Sequence, residues 1–233
     1  MTIPDSRFPI PKAVLFDLDG TLVDTAPDLG YAANVVREDC GLAPLPLSDY
    51  RPVASAGARG LLGMALGLTP DDAAFERHRA RFLAVYREHL TRASRPFDGV
   101  AELLATLSRL GIRWGVVTNK PSWLTDPLMA QLQLDTASAC TVSADQVANA
   151  KPAPDALLLA CEQLALSPAS CWYVGDDKRD IVAGQAAGMA TIAADWGYLG
   201  AAGPIASWNA DIVLATPHEL QDLIIRIQPP SQS

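Results

Sequence analysis

The amino-acid sequence predicts an α/β fold, with a doubly wound parallel sheet as its core and a small helical insertion after the first strand. Short apolar runs that end at polar residues alternate with segments of helical periodicity along most of the 233-residue chain. Strands that alternate with helices pair in parallel through crossover connections, which gives a doubly wound sheet. Residues 25–95 interrupt this alternation, because they show helical periodicity and no convincing strand.

Three apolar runs predict the buried strands of the core. Residues 13–16 read AVLF and stop at Asp17, residues 112–117 stop at Thr118, and residues 171–174 stop at Gly175. Apolar runs of this length are typical of strands that are covered on both faces of a parallel sheet. Weaker patterns predict two further strands at 189–193 and 212–214.

Apolar residues at helical spacing predict the helices. Residues 100–110 and 157–164 each carry one apolar face, and Pro154 suits the first turn of the second helix. Within the insertion, residues 29–36 and 75–90 carry similar faces. The sequence PFDG at 96–99 marks the return to the core, because Pro and Gly are common at element boundaries.

Composition excludes several classes of function. A net charge of −8 argues against nucleic-acid binding, which usually requires a basic surface. The 4 cysteines form no C-x-x-C pair, which favours free thiols in a reducing compartment. The N-terminus has no secretory pattern, and no apolar run reaches the ~20 residues of a membrane span. We therefore expect a cytoplasmic protein that binds neither nucleic acid nor membrane.

Polar residues follow the predicted strands at the edge where open α/β sheets bind their ligands. Residues 17–21 read DLDGT, Thr118-Asn119 follow the second strand, and residues 175–180 read GDDKRD. Lys151-Pro152 stands at the predicted start of a helix. Taken alone, D-x-D-G-T also fits a polar turn, because Asp and Gly are common turn residues. Together the four segments predict a carboxylate, a hydroxyl, an ammonium and a second acidic cluster in one crevice.

In this order, the four segments resemble the motifs of the haloacid dehalogenase-like hydrolases, which are D-x-D-G-T, then S/T, then K, then G-D-x-x-x-D. The resemblance covers nearly the whole chain and implies a Rossmann-like core. The helical insertion is similar to the small mobile cap that these enzymes carry after the first motif. We therefore expect a hydrolase core of residues 1–24 and 96–233 and a helical cap of residues 25–95.

The resemblance implies a catalytic role for three residues. Asp17 is the nucleophile that forms an aspartyl-phosphate, and this intermediate divides hydrolysis into two easier steps. Asp19 is the general acid and base, which protonates the leaving alkoxide and later deprotonates the attacking water. Lys151 supplies positive charge to the phosphoryl group and to Asp17.

The same resemblance implies a magnesium cofactor and a phosphate site. The Asp17 carboxylate, the Asp19 backbone carbonyl and the Asp176 carboxylate would bind Mg²⁺, which prefers oxygen ligands. Asp177 and Asp180 would lie around these ligands without touching the ion. The implied phosphate-binding residues are Gly20, Thr21, Thr118, Asn119 and Lys151.

Within this superfamily, the residues favour a phosphatase. Haloalkanoic dehalogenases lack an acid equivalent to Asp19, and phosphonatases use a cap lysine, whereas residues 25–95 contain no Lys. A sugar phosphomutase of the β-phosphoglucomutase type shares all four motifs and stays open as an alternative. A catalytically silent binding module on the same fold also stays open, because fold alone does not imply function.

Longer stretches are similar to the phosphoglycolate phosphatase group, namely DLDGTLVDTAPD at 17–28, WGVVTNKP at 114–121 and VGDDKRDI at 174–181. The segment SAGARGLL at 55–62 and the hinge RPFDGVAELL at 95–104 look most like the N-acetylmuramic acid 6-phosphate phosphatases. This resemblance implies a small phosphate monoester as substrate, with 2-phosphoglycolate and N-acetylmuramic acid 6-phosphate as the leading candidates.

Arg59 is the candidate substrate contact from the cap. Both candidate substrates carry a carboxylate, which a guanidinium binds well. An ordinary surface arginine is the alternative interpretation. The motifs leave the oligomeric state open between a monomer and a homodimer.

Overall fold

Six parallel strands form the central sheet of the computed structural model, which describes residues 9–200 and 203–228. Residues 1–8, 201–202 and 229–233, which were assigned to the core, lie outside the described part. The strands lie in the order β5-β4-β1-β6-β7-β8. They are β1 (Ala13–Phe16), β4 (Arg113–Thr118), β5 (Thr141–Ser143), β6 (Cys171–Gly175), β7 (Ala190–Ala194) and β8 (Ile212–Leu214). The predicted α/β class with a parallel sheet is therefore confirmed.

The residues of β1 explain why this sheet is covered on both faces. All four are fully buried, and successive side chains of a strand point to opposite faces. Val14 and Phe16 belong to one hydrophobic cluster, and Ala13 and Leu15 belong to another. Burial of a Leu or Phe side chain stabilises the fold by about 1.5–3 kcal/mol, so both clusters contribute substantially.

Two short strands mark the ends of the helical insertion. β2 (Val23–Asp24) pairs antiparallel with β3 (Arg95–Pro96) in a separate two-stranded sheet. Arg95 was expected to lie outside any strand, and it instead pairs with Asp24. The division of the chain into a core and a cap stays a prediction.

Between β2 and β3 the described chain is helical. The helices are α1 (Ala26–Asp39), α2 (Leu47–Tyr50), α3 (Gly57–Leu66) and α4 (Phe75–Glu88). The apolar faces predicted for 29–36 and 75–90 are buried against each other, which explains how this block folds without a strand of its own.

The remaining helices flank the central sheet. They are α5 (Val100–Arg109), α6 (Ser122–Gln131), α7 (Asp155–Leu164), α8 (Lys178–Ala187) and α9 (Pro217–Arg226). The prediction that Lys151-Pro152 opens a helix was wrong, because residues 151–154 form turns and the helix begins at Asp155. Among the described residues, no helix is both long enough and apolar enough to span a membrane.

Candidate active site

The carboxyl ends of three adjacent strands meet at one edge of the sheet. β1 pairs with β4 on one side and with β6 on the other, so Asp17, Thr118 and Asp176 each stand at or just after a neighbouring strand end. A cavity of about 390 Å³ opens there, and helices α3 and α4 of the insertion contribute its opposite wall. The topology therefore places the polar segments of the sequence in one crevice.

Lys151 lies at the centre of this crevice and is only 5% exposed. Its Nζ donates to Asp17 Oδ1 at 2.9 Å and to Asp180 Oδ1 at 2.6 Å. It also lies 2.7 Å from the hydroxyl of Tyr173. Burial lowers the pKa of Lys151, but the charges of Asp17 and Asp180 outweigh that effect and raise it. The ammonium is therefore a permanent positive charge beside Asp17.

Asn119 fixes the backbone of Lys151. The Asn119 side chain donates to the Lys151 carbonyl at 3.0 Å and accepts from the Lys151 amide at 3.0 Å. This reciprocal pair joins the end of β4 to the turn that carries the lysine. The Asn119 amide, which the motif resemblance placed on a phosphoryl group, is engaged with Lys151 in this structure.

Asp17 has one oxygen fixed and one free. Its Oδ1 accepts from Lys151, and among the described residues no donor reaches its Oδ2. Burial is the largest influence on the carboxyl and raises its pKa from 3.8 to about 7, with Lys151 opposing and Asp180 reinforcing the rise. A carboxylate in this position is poorly solvated, which suits a nucleophile or the ligand of a cation.

Three carboxylates form an acidic cluster. One oxygen from each of Asp17, Asp176 and Asp180 lies within 4.8 Å of the other two. Burial and the charges of Asp17 and Asp180 raise the pKa of Asp176 well above its ordinary value. Carboxylates so close together repel one another unless a cation lies between them. Their all-oxygen donor set fits a hard divalent cation such as magnesium or calcium.

Asp176 is held by groups from three parts of the chain. It accepts from the hydroxyl of Thr21 at 3.0 Å, from the amide of Tyr198 at 2.9 Å and from the hydroxyl of Ser55 at 3.2 Å. A Cβ atom on Gly20 or Gly197 would overlap the Asp176 side chain, so both positions require glycine. Gly20 also has a φ of 90°, which glycine adopts readily.

Asp177 and Arg179 form a separate ion pair at the start of α8. The Arg179 guanidinium donates to Asp177 from Nε at 2.8 Å and from Nη2 at 2.9 Å. It also reaches across to the Ser55 carbonyl in the insertion at 2.7 Å. Burial raises the pKa of Asp177, but the contacts with Arg179 outweigh it and the net shift is downward. Asp177 therefore stays ionised and caps the helix.

Asp19, two residues after Asp17, is bound by Lys120 and by Thr25 at the start of the insertion. Its Oδ1 accepts from Lys120 Nζ at 2.6 Å and from Thr25 Oγ1 at 2.5 Å. Among the described residues, Asp19 Oδ2 has no partner. The Asp19 side chain is 15% exposed and Lys120 is 7% exposed, so the pair is largely shielded from water.

The far wall of the cavity is mostly apolar. Helices α1, α4 and α6 contribute Leu29, Phe75, Phe82, Leu83, Tyr86 and Leu124. Arg59 on α3 and Arg79 on α4 add positive charge. Arg79 pairs with Glu76 at 3.1 Å, whereas Arg59 makes no side-chain hydrogen bond or ion pair with the rest of the described chain. This wall is suited to an anionic, partly apolar group.

The structure brings most of the predicted site residues to one cavity. Those that line it are Asp17, Asp19, Arg59, Thr118, Asn119, Lys151, Asp177 and Asp180. The residues Gly20, Thr21 and Asp176 do not line the cavity. The Thr21 hydroxyl donates its hydrogen bond to Asp176. The roles given to these residues in catalysis, phosphate binding and metal binding stay predictions.

Several residues of the site were not predicted. Lys120 directly follows Thr118-Asn119 at a strand end, so its position was a usable signal. Tyr173 lies inside an apolar strand, and Ser55 lies in the insertion. Nothing local to either residue indicates that it contacts the site.

Comparison with known proteins places the chain among enzymes. A family model described as "Haloacid dehalogenase-like hydrolase" matches residues 14–194. An N-acetylmuramic acid 6-phosphate phosphatase of Pseudomonas aeruginosa is 44% identical over 215 residues, covering 92% of this chain and 95% of the relative. A phosphoglycolate phosphatase of Xanthomonas campestris is 42% identical over 211 residues, covering 90% and 95%.

A solved structure shares the whole architecture. A protein of Haemophilus somnus, described as a predicted phosphoglycolate phosphatase, superposes with a TM-score of 0.81 at 28% identity. The alignment covers 94% of this chain and 99% of that structure. These matches confirm the resemblance carried by the four motifs: the chain belongs to the haloacid dehalogenase-like hydrolase family.

Proposed function

We propose that this enzyme is a magnesium-dependent phosphatase, which hydrolyses a small phosphate monoester through an aspartyl-phosphate on Asp17. The observation that carries the proposal is the state of Asp17, with Oδ1 fixed by Lys151 and Oδ2 free to react. The names of the relatives from Pseudomonas and Xanthomonas support the same reaction class.

In the first step, Asp17 Oδ2 forms a bond to phosphorus while the bond from phosphorus to the ester oxygen breaks. The leaving oxygen takes a proton from Asp19, whose Oδ2 is free of other partners in the described chain. Lys151 stabilises the charge on the phosphoryl oxygens and keeps Asp17 oriented. The products of this step are the free alcohol and the aspartyl-phosphate.

In the second step, water attacks the phosphorus of the aspartyl-phosphate. Asp19, now ionised, accepts a proton from that water, and the bond from phosphorus to Asp17 breaks. Phosphate leaves and both carboxyl groups return to their starting states. The contacts of Lys120 and Thr25 with Asp19 Oδ1 keep the carboxyl in place for both transfers.

The acidic cluster is the proposed magnesium site. Asp17 and Asp176 are the side-chain ligands that we propose, together with the backbone carbonyl of Asp19. Asp180 lies within the cluster, although it also receives the Lys151 ammonium. When bound, the ion would neutralise charge on the transferring phosphoryl group and reduce its repulsion from Asp17.

The proposed substrates are N-acetylmuramic acid 6-phosphate and 2-phosphoglycolate, which are the compounds that the relatives' names contain. Both carry a carboxylate in addition to the phosphate. Arg59 lines the cavity without a partner of its own among the described residues, which supports a role in binding that carboxylate.

The location and assembly of the enzyme belong to the same proposal. Cys140, Cys161 and Cys171 are buried free thiols, which agrees with a reducing, cytoplasmic environment. A monomer and a homodimer are both compatible with the proposed reaction, and light scattering would distinguish them.

The decisive experiment replaces the nucleophile by Asp17→Asn. We expect phosphate release to fall by at least about 1000-fold, because an amide oxygen is a poor nucleophile and cannot form the acyl-phosphate. Phosphate release would be measured with magnesium present on both candidate substrates and on phenyl phosphate.

Asp126→Asn is the matched control, because Asp126 is exposed on α6 and does not line the cavity. It should retain full activity. Substantial turnover by Asp17→Asn would remove Asp17 as the nucleophile. A wild type that isomerises a sugar phosphate without releasing phosphate would replace the phosphatase by a phosphomutase.

A further inference from the structure

The hydroxyl of Tyr86 has no partner in a position where a partner is expected. Tyr86 lies on α4 and is 1% exposed, and it lines the cavity. Among the described residues no group makes a hydrogen bond with its hydroxyl. Burial raises the pKa of this phenol to about 12, while the charge of Lys120 and a long contact with its ammonium lower it, so the hydroxyl is a neutral group able to donate and accept.

A buried hydroxyl without a partner is unusual, because native proteins pair the large majority of such groups. In the described chain three other buried side-chain atoms lack partners, and they belong to Trp114, Ser143 and Trp208. None of these residues lines the cavity. Tyr86 is the member of the set that faces the space where a substrate would lie.

The neighbours of Tyr86 place its ring beside the ion pair of Lys120 and Asp19. Lys120 Nζ lies 4.8 Å from the centre of the Tyr86 ring and 2.6 Å from Asp19 Oδ1. Asp19 is the residue proposed to protonate the leaving oxygen. The Tyr86 ring also stacks with Phe82 of the apolar wall, at 6.3 Å between ring centres.

This environment offers few other groups to a polar leaving group. Leu29, Phe75, Phe82, Leu83 and Leu124 present only carbon to the cavity. An oxygen of the leaving group that entered this wall would lose its bonds to water without replacement, which is costly. The Tyr86 hydroxyl is a partner available within that wall.

We propose that Tyr86 is a specificity-determining residue, whose hydroxyl binds an oxygen atom of the leaving group close to the scissile ester. The site then selects phosphate monoesters whose alcohol carries a further hydroxyl, carbonyl or carboxylate oxygen. It discriminates against leaving groups of similar size that consist of carbon alone. This inference rests on the proposed phosphatase function and extends it to the choice of substrate.

The test is the isosteric change Tyr86→Phe, which removes only the hydroxyl. The kcat/KM would be measured for phenyl phosphate and for the oxygen-bearing metabolite that the wild type prefers, from N-acetylmuramic acid 6-phosphate and 2-phosphoglycolate. We expect the ratio of the metabolite value to the phenyl phosphate value to fall about 5- to 150-fold, the effect of leaving a buried polar group of the substrate unpaired.

The thermal unfolding midpoint of the substrate-free protein provides a second readout. Tyr86→Phe should not lower it, because the hydroxyl makes no hydrogen bond in the described chain and replacing an unpaired buried polar group is neutral or stabilising. A residue that acts only in packing would leave the substrate ratio unchanged, so the two readouts together identify a binding role.

Tyr50→Phe is the matched control. The Tyr50 hydroxyl donates to Asn34 Oδ1 at 2.8 Å, and Tyr50 does not line the cavity. This variant should show the opposite pattern, with a lowered unfolding midpoint and an unchanged substrate ratio.

The outcomes separate this inference from the proposed function. If the wild type hydrolyses both substrates and Tyr86→Phe leaves their ratio unchanged, Tyr86 does not select the leaving group, although the enzyme is a phosphatase. A lowered unfolding midpoint in Tyr86→Phe would also overturn the inference, because the hydroxyl would then have a structural partner. If the wild type releases no phosphate from any substrate, the proposed function itself fails.

Discussion

At the residue scale, the site depends on charges that are buried together. The Lys151 ammonium is shared between Asp17 and Asp180, and the Lys120 ammonium is held by Asp19. A buried ion pair is costly to desolvate, and removing one partner leaves an uncompensated charge. Loss of either ammonium is therefore expected to destabilise the fold, whereas Arg59, which has no partner in the described chain, can be changed without disturbing it.

Because Arg59 has no partner in the described chain, the variant Arg59→Ala tests substrate binding separately from stability. We expect KM for carboxylated substrates to rise about 5- to 20-fold, the loss of a charge-assisted hydrogen bond to an exposed arginine. KM for phenyl phosphate should rise much less, since its leaving group has no carboxylate. Steady-state kinetics on both substrates measures the difference.

Arg81→Ala is a suitable control for Arg59→Ala. Arg81 is an exposed arginine of α4 that pairs with Asp39 and does not line the cavity. It should leave KM for both substrates unchanged. Equal effects of Arg59→Ala on carboxylated and uncarboxylated substrates would remove Arg59 from the substrate site.

The sequence predicted the residues at strand ends better than their partners. Asp17, Thr118 and Asp176 follow apolar runs, so their convergence follows from parallel pairing alone. The contacts of Lys120 with Asp19 and of Ser55 with Asp176 join residues that are 101 and 121 positions apart. The first contact joins the ends of the neighbouring strands β1 and β4, whereas the second depends on how the insertion packs over the sheet, which local patterns do not encode.

At the scale of elements, segments with a clear apolar pattern were predicted, including the three-residue strand β8, whereas β5 and α6 were not. β5 has three residues, and its sequence TVS carries no apolar run. α6 contains Pro127 in its interior, which is an unfavourable helix signal, and packing of Leu124 and Leu128 stabilises it instead. Tertiary contacts, which the sequence does not display, determine both elements.

Asp28 joins the two ends of the helical insertion. It lies in the first turn of α1 and is fully buried. Its carboxylate accepts from the amides of Ala93 and Ser94, at 2.9 and 2.8 Å, and from the Ser94 hydroxyl at 2.7 Å. Ser94 directly precedes β3, so this one carboxylate fixes the start of the insertion against its end.

Asp28→Ala should therefore destabilise the protein by about 3 kcal/mol, because the half-buried amide of Ala93 and the buried amide and hydroxyl of Ser94 lose their acceptor. In a chain of this length the unfolding midpoint should fall by about 6–12 °C. Thermal denaturation followed by circular dichroism gives the value.

The control for this change is Asp126→Ala, which alters an exposed carboxylate on α6 and should shift the free energy of unfolding by no more than about 0.5 kcal/mol. If Asp28→Ala unfolds at the same temperature as the wild type, the carboxylate does not tie the insertion together.

At the scale of the whole molecule, the active site is assembled from both parts of the chain. The sheet supplies the acidic cluster, and the insertion supplies most of the apolar wall, the Ser55 contact and the Arg59 side chain. The Arg179 guanidinium donates to Asp177 at the start of α8 and to the Ser55 carbonyl in the insertion, so it links the sheet region to the insertion. In the proposed mechanism, substrate selection and chemistry are therefore contributed by different segments of the sequence.

The carboxylates of Asp17, Asp176 and Asp180 lie close together, so we expect the free energy of unfolding to depend on pH and on bound metal. Asp17 has a folded-state pKa of about 7 against an ordinary 3.8. A carboxyl with a raised pKa in the folded state contributes stability below its ordinary pKa, and that contribution is lost as pH rises through about 7. The metal-free wild type should therefore lose stability between pH 5 and pH 8.

Asp17→Asn carries no ionisable group at this position, so its stability should fall less over the same range. At pH 8 without metal it should unfold at least about 2–4 °C above the wild type, which corresponds to roughly 1 kcal/mol.

Added magnesium should raise the unfolding midpoint of the wild type more than that of Asp17→Asn, because a ligand of the folded state stabilises it by mass action. EDTA should reverse this gain and stop phosphate release by the wild type. Scanning calorimetry at pH 5 and pH 8, with and without magnesium, measures all four values. If the unfolding midpoints of the two proteins show the same pH dependence and the same magnesium shift, the Asp17 carboxylate neither destabilises the metal-free protein nor binds the ion.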